Sequence, residues 1–391
     1  MISVSEAQQQ IITHFTEMPV VSIKLAKSAG SYLAENLVAP LSLPSFRQSA
    51  MDGYAIIHSE TKKLRVSGHV QAGDVTLPDL KAGEAIRIFT GAPVPDAADT
   101  VIIQEHVTRD GDTISIEKLP QSGANVRPVG EQISKGEVVL KKGHHINEAS
   151  IGFMAGLGIT EINVYAKPKV SILTTGNELQ EPGTILKPNH IYESNGVMLQ
   201  MALHRLGIEK IQFIKVSDTL EATTQAVKKA LDQSDVLLVS GGISVGDFDF
   251  VQEAFEANDV KNHFYKVNQK PGKPLWFGTK GDKSVFGLPG NPASSLTCFY
   301  AYVLPHLRKR MGAEHPFLNT RKAKLTSAIK NPFGKTLFLK AGVTEDTITP
   351  YTGQASSMLN TYALSNALII VPEECEVLNA GDWIQYIDLN F

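Results

Sequence analysis

The sequence predicts a multidomain protein of the α/β plus β class, with a central doubly wound α/β domain, an inserted small β domain, a split helical linker domain and a C-terminal small β-barrel. Strand-like and helix-like patterns alternate over residues 169–312, which is typical of a sheet with helices on both faces. Short strand-like runs separated by turn residues fill residues 41–135 and the stretch after residue 316. The length of 391 residues, at about 150 residues per domain, argues against one compact domain.

Composition excludes several classes of protein. The 37 Lys and Arg residues nearly balance 40 Asp and Glu residues, which excludes a broadly basic nucleic-acid-binding surface and an acidic disordered tail. Because no apolar run approaches the about 20 residues of a membrane span and the start lacks a secretory signal, we expect a cytoplasmic protein without membrane or nucleic-acid partners. Cys298 and Cys375 are too far apart in sequence for a disulfide framework or a cysteine zinc site, and both are expected to be reduced.

The linker domain is expected to consist of residues 1–40 and 136–166, which pack together on either side of the inserted β domain at residues 41–135. Its predicted helices are an opening helix capped by Ser5 and Gln8, a second over residues 22–37, and a third over residues 151–157 that ends at Gly158. Predicted strands of the insertion cover residues 85–89, 101–104 and 113–116.

The α/β domain is expected at residues 167–314 and the C-terminal barrel at residues 315–391. The predicted strands of the α/β domain are residues 170–174, 211–216, 236–239, 263–267, 275–277 and 284–286. Its predicted helices cover residues 198–206, 220–231 and 251–255, and a last helix runs from Asn291-Pro292 to Met311. The predicted barrel strands are residues 322–325, 336–339, 347–349, 367–371 and 383–387.

Polar loops follow the strands of the α/β domain, where open α/β sheets bind ligands in the crevice at the carboxyl ends of their strands. Five such loops are expected to meet at one edge of the sheet: residues 174–178, 216–218, 240–249, 266–273 and 287–292. The sequence therefore predicts one ligand site at this edge.

A glycine-rich loop predicts an anion site. Ser240, Gly241, Gly242, Ser244 and Gly246 would let backbone N–H groups and hydroxyls surround an anion without interfering side chains. The alternative interpretation is a plain tight connection, since the loop matches neither the Walker pattern nor the Rossmann fingerprint.

Lysines cluster in a second loop. Lys266, Lys270 and Lys273 lie in a stretch from residue 261 to 273 that contains no acidic residue. Together they suit a polyanion such as a phosphoanhydride or an oxyanion, whereas the alternative is a solvated surface.

Carboxylates on three loops predict a metal site. Glu178, Asp218 and Asp249 follow different strands, and hard carboxylates beside phosphate groups are how proteins hold Mg²⁺. Helix capping is the alternative interpretation for the two aspartates. The combination predicts magnesium-assisted chemistry at a phosphorus centre.

The insertion offers a second group of polar residues. Asp52, Thr90 and Arg127 lie in turn-like sequences, and turn chemistry alone would explain them. The alternative interpretation is that they form a second polar wall for an anionic ligand.

Five motifs carry a resemblance to a known family. They are Ser-Ala-Met-Asp-Gly-Tyr-Ala at 49–55, Thr-Gly-Ala-Pro-Val-Pro at 90–95, Ser-Gly-Gly-Ile-Ser-Val-Gly-Asp at 240–247, Lys-Pro-Gly-Lys-Pro at 270–274 and Gly-Leu-Pro-Gly-Asn-Pro at 287–292. Together they resemble the MoeA family of molybdopterin molybdenumtransferases, whose eukaryotic relatives include the gephyrin E domain. The resemblance runs in order over nearly the whole chain.

The resemblance implies a homodimer of four-domain subunits, with a molybdopterin-binding-like α/β domain and a pocket between this domain of one subunit and the β insertion of the other. It implies insertion of molybdate into adenylylated molybdopterin with Mg²⁺-dependent release of AMP. A molybdopterin adenylyltransferase and a molybdoenzyme that receives the product are the candidate handover partners.

The family's functional positions can be carried over by motif. They fall on Asp52, Thr90, Glu178, Asp218, Asp249, Lys266, Lys270, Pro289 and Pro292, and more loosely on Ser356. Two departures are Gln132, where the family has an aspartate, and Lys340, where it has an arginine that would grip an oxyanion with two prongs. They leave room for a paralogue that uses tungstate.

Two other functions stay open. One is adenylylation of molybdopterin from ATP, against which the insertion and the C-terminal domain count. The other is a gephyrin-like scaffold role, which an apolar groove of peptide size between the last two domains would support.

Overall fold

The computed structural model describes residues 1–243 and 249–390. The elements that precede the α/β sheet are α1 (Val4–Thr13), β1 (Val20–Lys24), β2 (Leu37–Val38), β3 (Gln48–Ser49), β4 (Gly53–Ile56), β5 (Lys63–Val70), β6 (Glu84–Ile88), β7 (Thr100–Ile103), β8 (Val107–Asp110), β9 (Thr113–Ile116), β10 (Val126–Arg127), β11 (Val138–Leu140), α2 (Glu148–Gly156) and β12 (Glu161–Tyr165). Short 3₁₀ helices cover Leu25–Lys27 and Gln104–His106. Among the residues described, no helix is long and apolar enough to cross a membrane.

The N-cap of the opening helix lies two residues before the predicted cap, Ser5. Ser3 is the N-cap: its hydroxyl accepts from the N–H of Glu6 at 3.2 Å, and the Glu6 carboxylate accepts from the N–H of Ser3 at 2.7 Å. The capping box predicted from Ser5 and Gln8 is therefore wrong, although the helix itself is present.

The predicted helix over residues 22–37 is also wrong. This segment contains the end of β1, a 3₁₀ turn and the start of β2. β1 pairs antiparallel with β12, and β2 pairs with β11, so strands more than 90 residues away override the local helical spacing. The same pairings join the two segments on either side of the insertion; the exact domain boundaries remain predictions.

The inserted region forms a six-stranded sheet in the order β7-β4-β6-β5-β9-β8. Its core includes Ala55, Ile86, Ile88 and Val101, none of which is measurably exposed. β4 and β6 are antiparallel, with Gly53 opposite Ile88. The loop before β4 therefore meets the loop after β6.

The α/β sheet has the order β16-β13-β17-β21-β20-β18, and its first four strands are parallel. The elements of this region are β13 (Val170–Thr175), β14 (Leu179–Gln180), β15 (Ile191–Tyr192), α3 (Asn195–Arg205), β16 (Ile211–Val216), α4 (Leu220–Gln233), β17 (Val236–Ser240), α5 (Val251–Ala257), β18 (Lys261–Tyr265), β19 (Gln269–Lys270), β20 (Trp276–Lys280), β21 (Lys283–Leu288), α6 (Pro292–Cys298) and α7 (Leu304–Arg310). A π-helical turn, Phe299–Val303, joins the last two helices. β13 and β17 are buried along their whole length, as central parallel strands are.

The C-terminal region closes into a five-stranded barrel, β24-β25-β22-β28-β26, because β26 pairs back with β24. Its elements are β22 (Thr320–Leu325), β23 (Ile329–Lys330), β24 (Thr336–Thr344), β25 (Thr347–Pro350), α8 (Leu359–Leu364), β26 (Ala367–Val371), β27 (Val377–Leu378) and β28 (Trp383–Asp388). The predicted fold class is confirmed. β19 adds to the edge of the barrel beside β24, which ties the barrel to the loop that carries Lys270.

Candidate active site at the carboxyl edge of the α/β sheet

A cavity of about 690 Å³ lies at the carboxyl ends of β13, β16, β17 and β21. It is lined by the loops that follow these strands, by the start of α3 and by one residue of the C-terminal region, Ser357. Eight of the predicted site residues line it: Glu178, Asp218, Ser240, Gly241, Gly242, Asp249, Pro289 and Pro292.

The carboxylates are arranged around the cavity by adjacent strands. The Asp218 carboxylate accepts the N–H of Asn177 at 2.9 Å, and the Asn177 side chain accepts the N–H of Asp218 at 3.3 Å. This reciprocal pair fixes the loop after β16 against the loop after β13. Glu178, which is exposed, and Asp249, which is half-buried, also line the cavity.

The donor set fits Mg²⁺, since hard carboxylate oxygens are the ligands this ion takes from proteins. In the part of the chain that the structure describes, no three His, Cys, Asp or Glu side chains form a ready cluster. An ion held by Glu178, Asp218 and Asp249 would therefore complete its shell with water and substrate oxygens, as Mg²⁺ commonly does.

The glycine loop has a backbone that requires glycine. Gly241 and Gly242 have φ values of +95° and +61°. A Cβ on Gly241 would lie 3.0 Å from the carbonyl oxygen of Thr175. Ser244 and Gly246, also predicted for this anion site, lie outside the described residues.

None of the three predicted lysines lines the cavity. The Lys266 ammonium sits 4.5 Å from the ring centre of Tyr265, and that of Lys270 sits 4.0 Å from the ring centre of Phe333. Lys273 is exposed, and from its loop only the next residue, Pro274, lines the cavity.

Asp52 and Thr90 of the insertion are in contact, because the antiparallel pairing of β4 and β6 brings their loops together. One Asp52 oxygen accepts both the N–H and the hydroxyl of Thr90, each at 2.7 Å, and these bonds lower the pKa of Asp52. The Arg127 guanidinium lies 3.8 Å from the Glu131 carboxylate, with both side chains about half exposed. Within one chain the structure does not bring this polar wall to the cavity, whose lining contains no residue of the insertion.

Lys340, which was predicted to bind the substrate, does not line the cavity. Its side chain is 2% exposed, and its ammonium donates to the carbonyl oxygens of Ala355 and Met358 at 3.3 and 2.8 Å. Burial lowers its pKa. A buried ammonium needs hydrogen-bond acceptors, and these two carbonyl oxygens supply them.

Lys340 thereby holds the loop that reaches the cavity. The carbonyl oxygen of Ser356 accepts the N–H of Ala293 in α6 at 3.0 Å, and the neighbouring Ser357 lines the cavity. Ser357 and Asn195 are lining residues that the sequence prediction missed. Asn195 was missed because the helical pattern begins only at residue 198, three residues after the helix starts.

A second cavity, of about 390 Å³, lies between α1 and the barrel. Its apolar lining includes Val4, Tyr300, Phe338, Ile370 and Ile387. The scaffold interpretation requires an apolar groove between the last two domains. This cavity adjoins both, through Tyr300 and Phe338, but α1 and polar side chains such as Glu373 also line it.

The fold and the cavity define a multidomain α/β protein with a polar crevice suited to an anion. Comparisons with known proteins identify the family. The model of the MoeA N-terminal region (domain I and II) matches residues 2–158, that of a probable molybdopterin binding domain matches 171–309, and that of the MoeA C-terminal region (domain IV) matches 322–389.

Similar proteins span the same length. A molybdopterin molybdenumtransferase of Staphylococcus epidermidis is 34% identical, covering 99% of this chain and 95% of its own. Molybdopterin molybdenumtransferase 2 of Mycobacterium tuberculosis is 33% identical over the whole of both chains. The crystal structure of a molybdopterin biosynthesis MoeA protein from Pyrococcus horikoshii has a TM-score of 0.86 at 28% identity, covering 99% of this chain and 100% of its own. The chain belongs to the MoeA family, as its motifs predict.

Proposed function

We propose that the chain inserts molybdate into adenylylated molybdopterin and releases AMP with Mg²⁺. Its membership of the MoeA family makes it a transferase of molybdenum cofactor biosynthesis. The finer reaction is supported by one observation above all: carboxylates from three loops and the left-handed turn at Gly241 and Gly242 line a single cavity.

The cavity suits the two charged parts of such a substrate. The turn at Gly241 and Gly242 leaves no side chain between the backbone and a phosphate group. Glu178, Asp218 and Asp249 would hold Mg²⁺, which when bound would withdraw charge from the phosphoanhydride as its P–O bond breaks. The reciprocal bonds of Asp218 with Asn177 keep this carboxylate in place without water having to reorganise.

The lysine loop and the insertion would complete the site. In this proposal Lys266, Lys270 and Lys273, on the loop that leads to the lining residue Pro274, attract an oxyanion such as molybdate. In this proposal the wall of Asp52, Thr90 and Arg127 faces the cavity of a second copy.

A homodimer would also cover apolar surface of the insertion. Met51, next to Asp52, and Phe46 are 43% and 42% exposed. Apolar side chains at the rim of a polar site are typical of an interface. Sedimentation velocity tests this part of the proposal: a monomer at micromolar concentration would contradict it.

The proposed reaction is tested by incubating the purified protein with adenylylated molybdopterin, molybdate and Mg²⁺. Release of AMP supports the proposal. Release of pyrophosphate from ATP and molybdopterin instead would identify an adenylyltransferase, and faster turnover with tungstate than with molybdate would identify a tungstate-using paralogue. In the cell we expect the chain to act in the cytoplasm, between a molybdopterin adenylyltransferase and a molybdoenzyme.

The groove between α1 and the barrel favours a second candidate function, binding of a peptide in a scaffold role. Its apolar floor and its volume of about 390 Å³ suit one or two apolar side chains. Selection from a random 12-residue peptide library, with the Ile370→Glu variant as control, tests it. A consensus peptide that loses binding to the variant would support this function, and no consensus would argue against it.

A further inference from the structure

We propose that Asn195 is a positioning residue that holds Ser240 and the turn at Gly241 and Gly242 against the loop after β21 and so shapes the phosphate-binding part of the cavity. The inference rests on the proposed function. None of the family motifs quoted above includes this residue.

The Asn195 side chain bridges the two loops. Its Nδ2 donates to the Ser240 hydroxyl at 2.9 Å and to the carbonyl oxygen of Gly290 at 2.7 Å. Because a carbonyl oxygen can only accept, the amide orientation is fixed by the second bond. One side chain therefore uses both of its N–H donors to join the ends of β17 and β21.

The start of α3 is itself held firmly. The buried Glu193 carboxylate accepts the N–H of Gly196 at 2.7 Å, in place of a cap from Ser194. A Cβ on Gly196 would lie 2.1 Å from the Phe213 ring, so the first turn of the helix packs directly on β16. Asn195 thus projects from a fixed base rather than from a mobile loop.

The pairing of β17 with β21 extends to Ser240 and Leu288, and beyond this pair the described residues of the two loops make few contacts. The N–H of Gly241 donates to the carbonyl oxygen of Leu288 at 3.2 Å, a long bond. A Cβ on Gly290 would meet only the Cα of Gly241, at 3.6 Å. Because glycine backbone faces glycine backbone, hydrogen bonds rather than side-chain packing determine how far apart the loops lie.

The arrangement is not the most stable one available to an asparagine. Within the residues described, Asn195 Oδ1 is buried and has no hydrogen-bond partner. A buried polar atom without a partner is destabilising by about 1–3 kcal/mol. An unpaired Asn195 Oδ1 at the rim of the cavity is consistent with a residue whose role is to fix the loops rather than to stabilise the fold.

The test compares Asn195→Asp and Asn195→Ala with Asn262→Asp, a charge-matched control at an exposed position of β18. A displacement of about 1 Å in a cradle of this kind lowers turnover by about 100-fold. At pH 8 we expect both Asn195 variants to lose at least 10-fold in kcat for AMP release, with KM changed less, and the control to match the wild type.

A pH profile separates positioning from general destabilisation. On protonation, the introduced carboxyl group regains an O–H that can donate to the carbonyl oxygen of Gly290. This oxygen lies 2.7 Å from Nδ2 in the wild type and would disfavour a carboxylate here, which raises the pKa of the introduced group. The activity of Asn195→Asp relative to wild type should therefore rise as pH falls from 8 to 6, whereas that of Asn195→Ala should stay constant. A flat ratio for both, or wild-type kcat in either, would overturn the inference.

A crystal structure of Asn195→Ala gives a readout that does not depend on the reaction. We expect Gly241 and Gly290 to move apart, and unchanged loop positions would overturn the inference even if the wild type released no AMP. Absence of AMP release by the wild type would contradict the proposed function alone.

Discussion

Acid should destabilise the protein through one buried histidine. His306 is completely buried in α7, where its Nδ1 donates to the carbonyl oxygen of Ile11 at 2.7 Å and its Nε2 accepts from the Ser284 hydroxyl at 2.8 Å. The same hydroxyl accepts from the Arg310 guanidinium at 3.3 Å. If Nε2 were protonated, the Ser284 hydroxyl could no longer donate to it and would have to accept from both His306 and Arg310. The neutral imidazole is therefore the form that these contacts favour.

Burial lowers the pKa of His306 from 6.5 to about 3. Because the folded state disfavours the protonated ring, the unfolded chain binds a proton that the folded chain does not at any pH between these two values. The contribution of neutral His306 to the free energy of unfolding is therefore complete above pH 6.5. It falls by about 1.4 kcal/mol for each pH unit below this value. At pH 5 the loss is about 2 kcal/mol, a large part of the about 5–15 kcal/mol that stabilises a typical domain.

Urea unfolding at pH values from 5 to 8, followed by tryptophan fluorescence, measures this loss. We expect the free energy of unfolding of the wild type to fall more steeply with acid than that of His306→Gln, by about 2 kcal/mol at pH 5. The variant keeps every other titrating group, so the difference between the two pH curves reports His306 alone. Parallel pH curves for the two proteins would refute the reasoning.

Three further predictions concern the site. Asp249→Asn should abolish AMP release while leaving the dissociation constant for adenylylated molybdopterin nearly unchanged; a variant with full kcat would remove Asp249 from the mechanism. Gly241→Ala should weaken AMP binding at least 10-fold in calorimetry, since φ is +95° and the new Cβ would lie 3.0 Å from Thr175 O; unchanged affinity would contradict a cradle here. Lys340→Met should speed proteolysis of the loop that carries Ser357, because two carbonyl oxygens lose their donor; an unchanged cleavage pattern would contradict its positioning role.

Sequence patterns predicted the α/β region well because its central strands β13 and β17 are buried throughout and its strands alternate with helices such as the amphipathic α4. They failed at residues 22–37, where Leu25, Ala29 and Leu33 have helical spacing but β12 and β11 draw the chain into strands. Local spacing carries no information about a partner more than 90 residues away.

The local backbone of the candidate site was predictable where one short motif supplies the geometry. The backbone at Gly241 and Gly242 has positive φ angles that favour glycine, and the glycines of the motif indicate such a turn. Asn195 and Lys340 were not predictable in this way, because their partners, such as Gly290 and Met358, come from other loops. The direction of a long side chain is decided by the acceptors that folding places near it.

The most direct measurement is the yield of AMP per molybdenum atom inserted, with purified protein, adenylylated molybdopterin, molybdate and Mg²⁺. The proposed function predicts one AMP for each molybdenum atom in the product, and loss of both when Mg²⁺ is removed. Molybdenum insertion without AMP, or no AMP under any of these conditions, would contradict it.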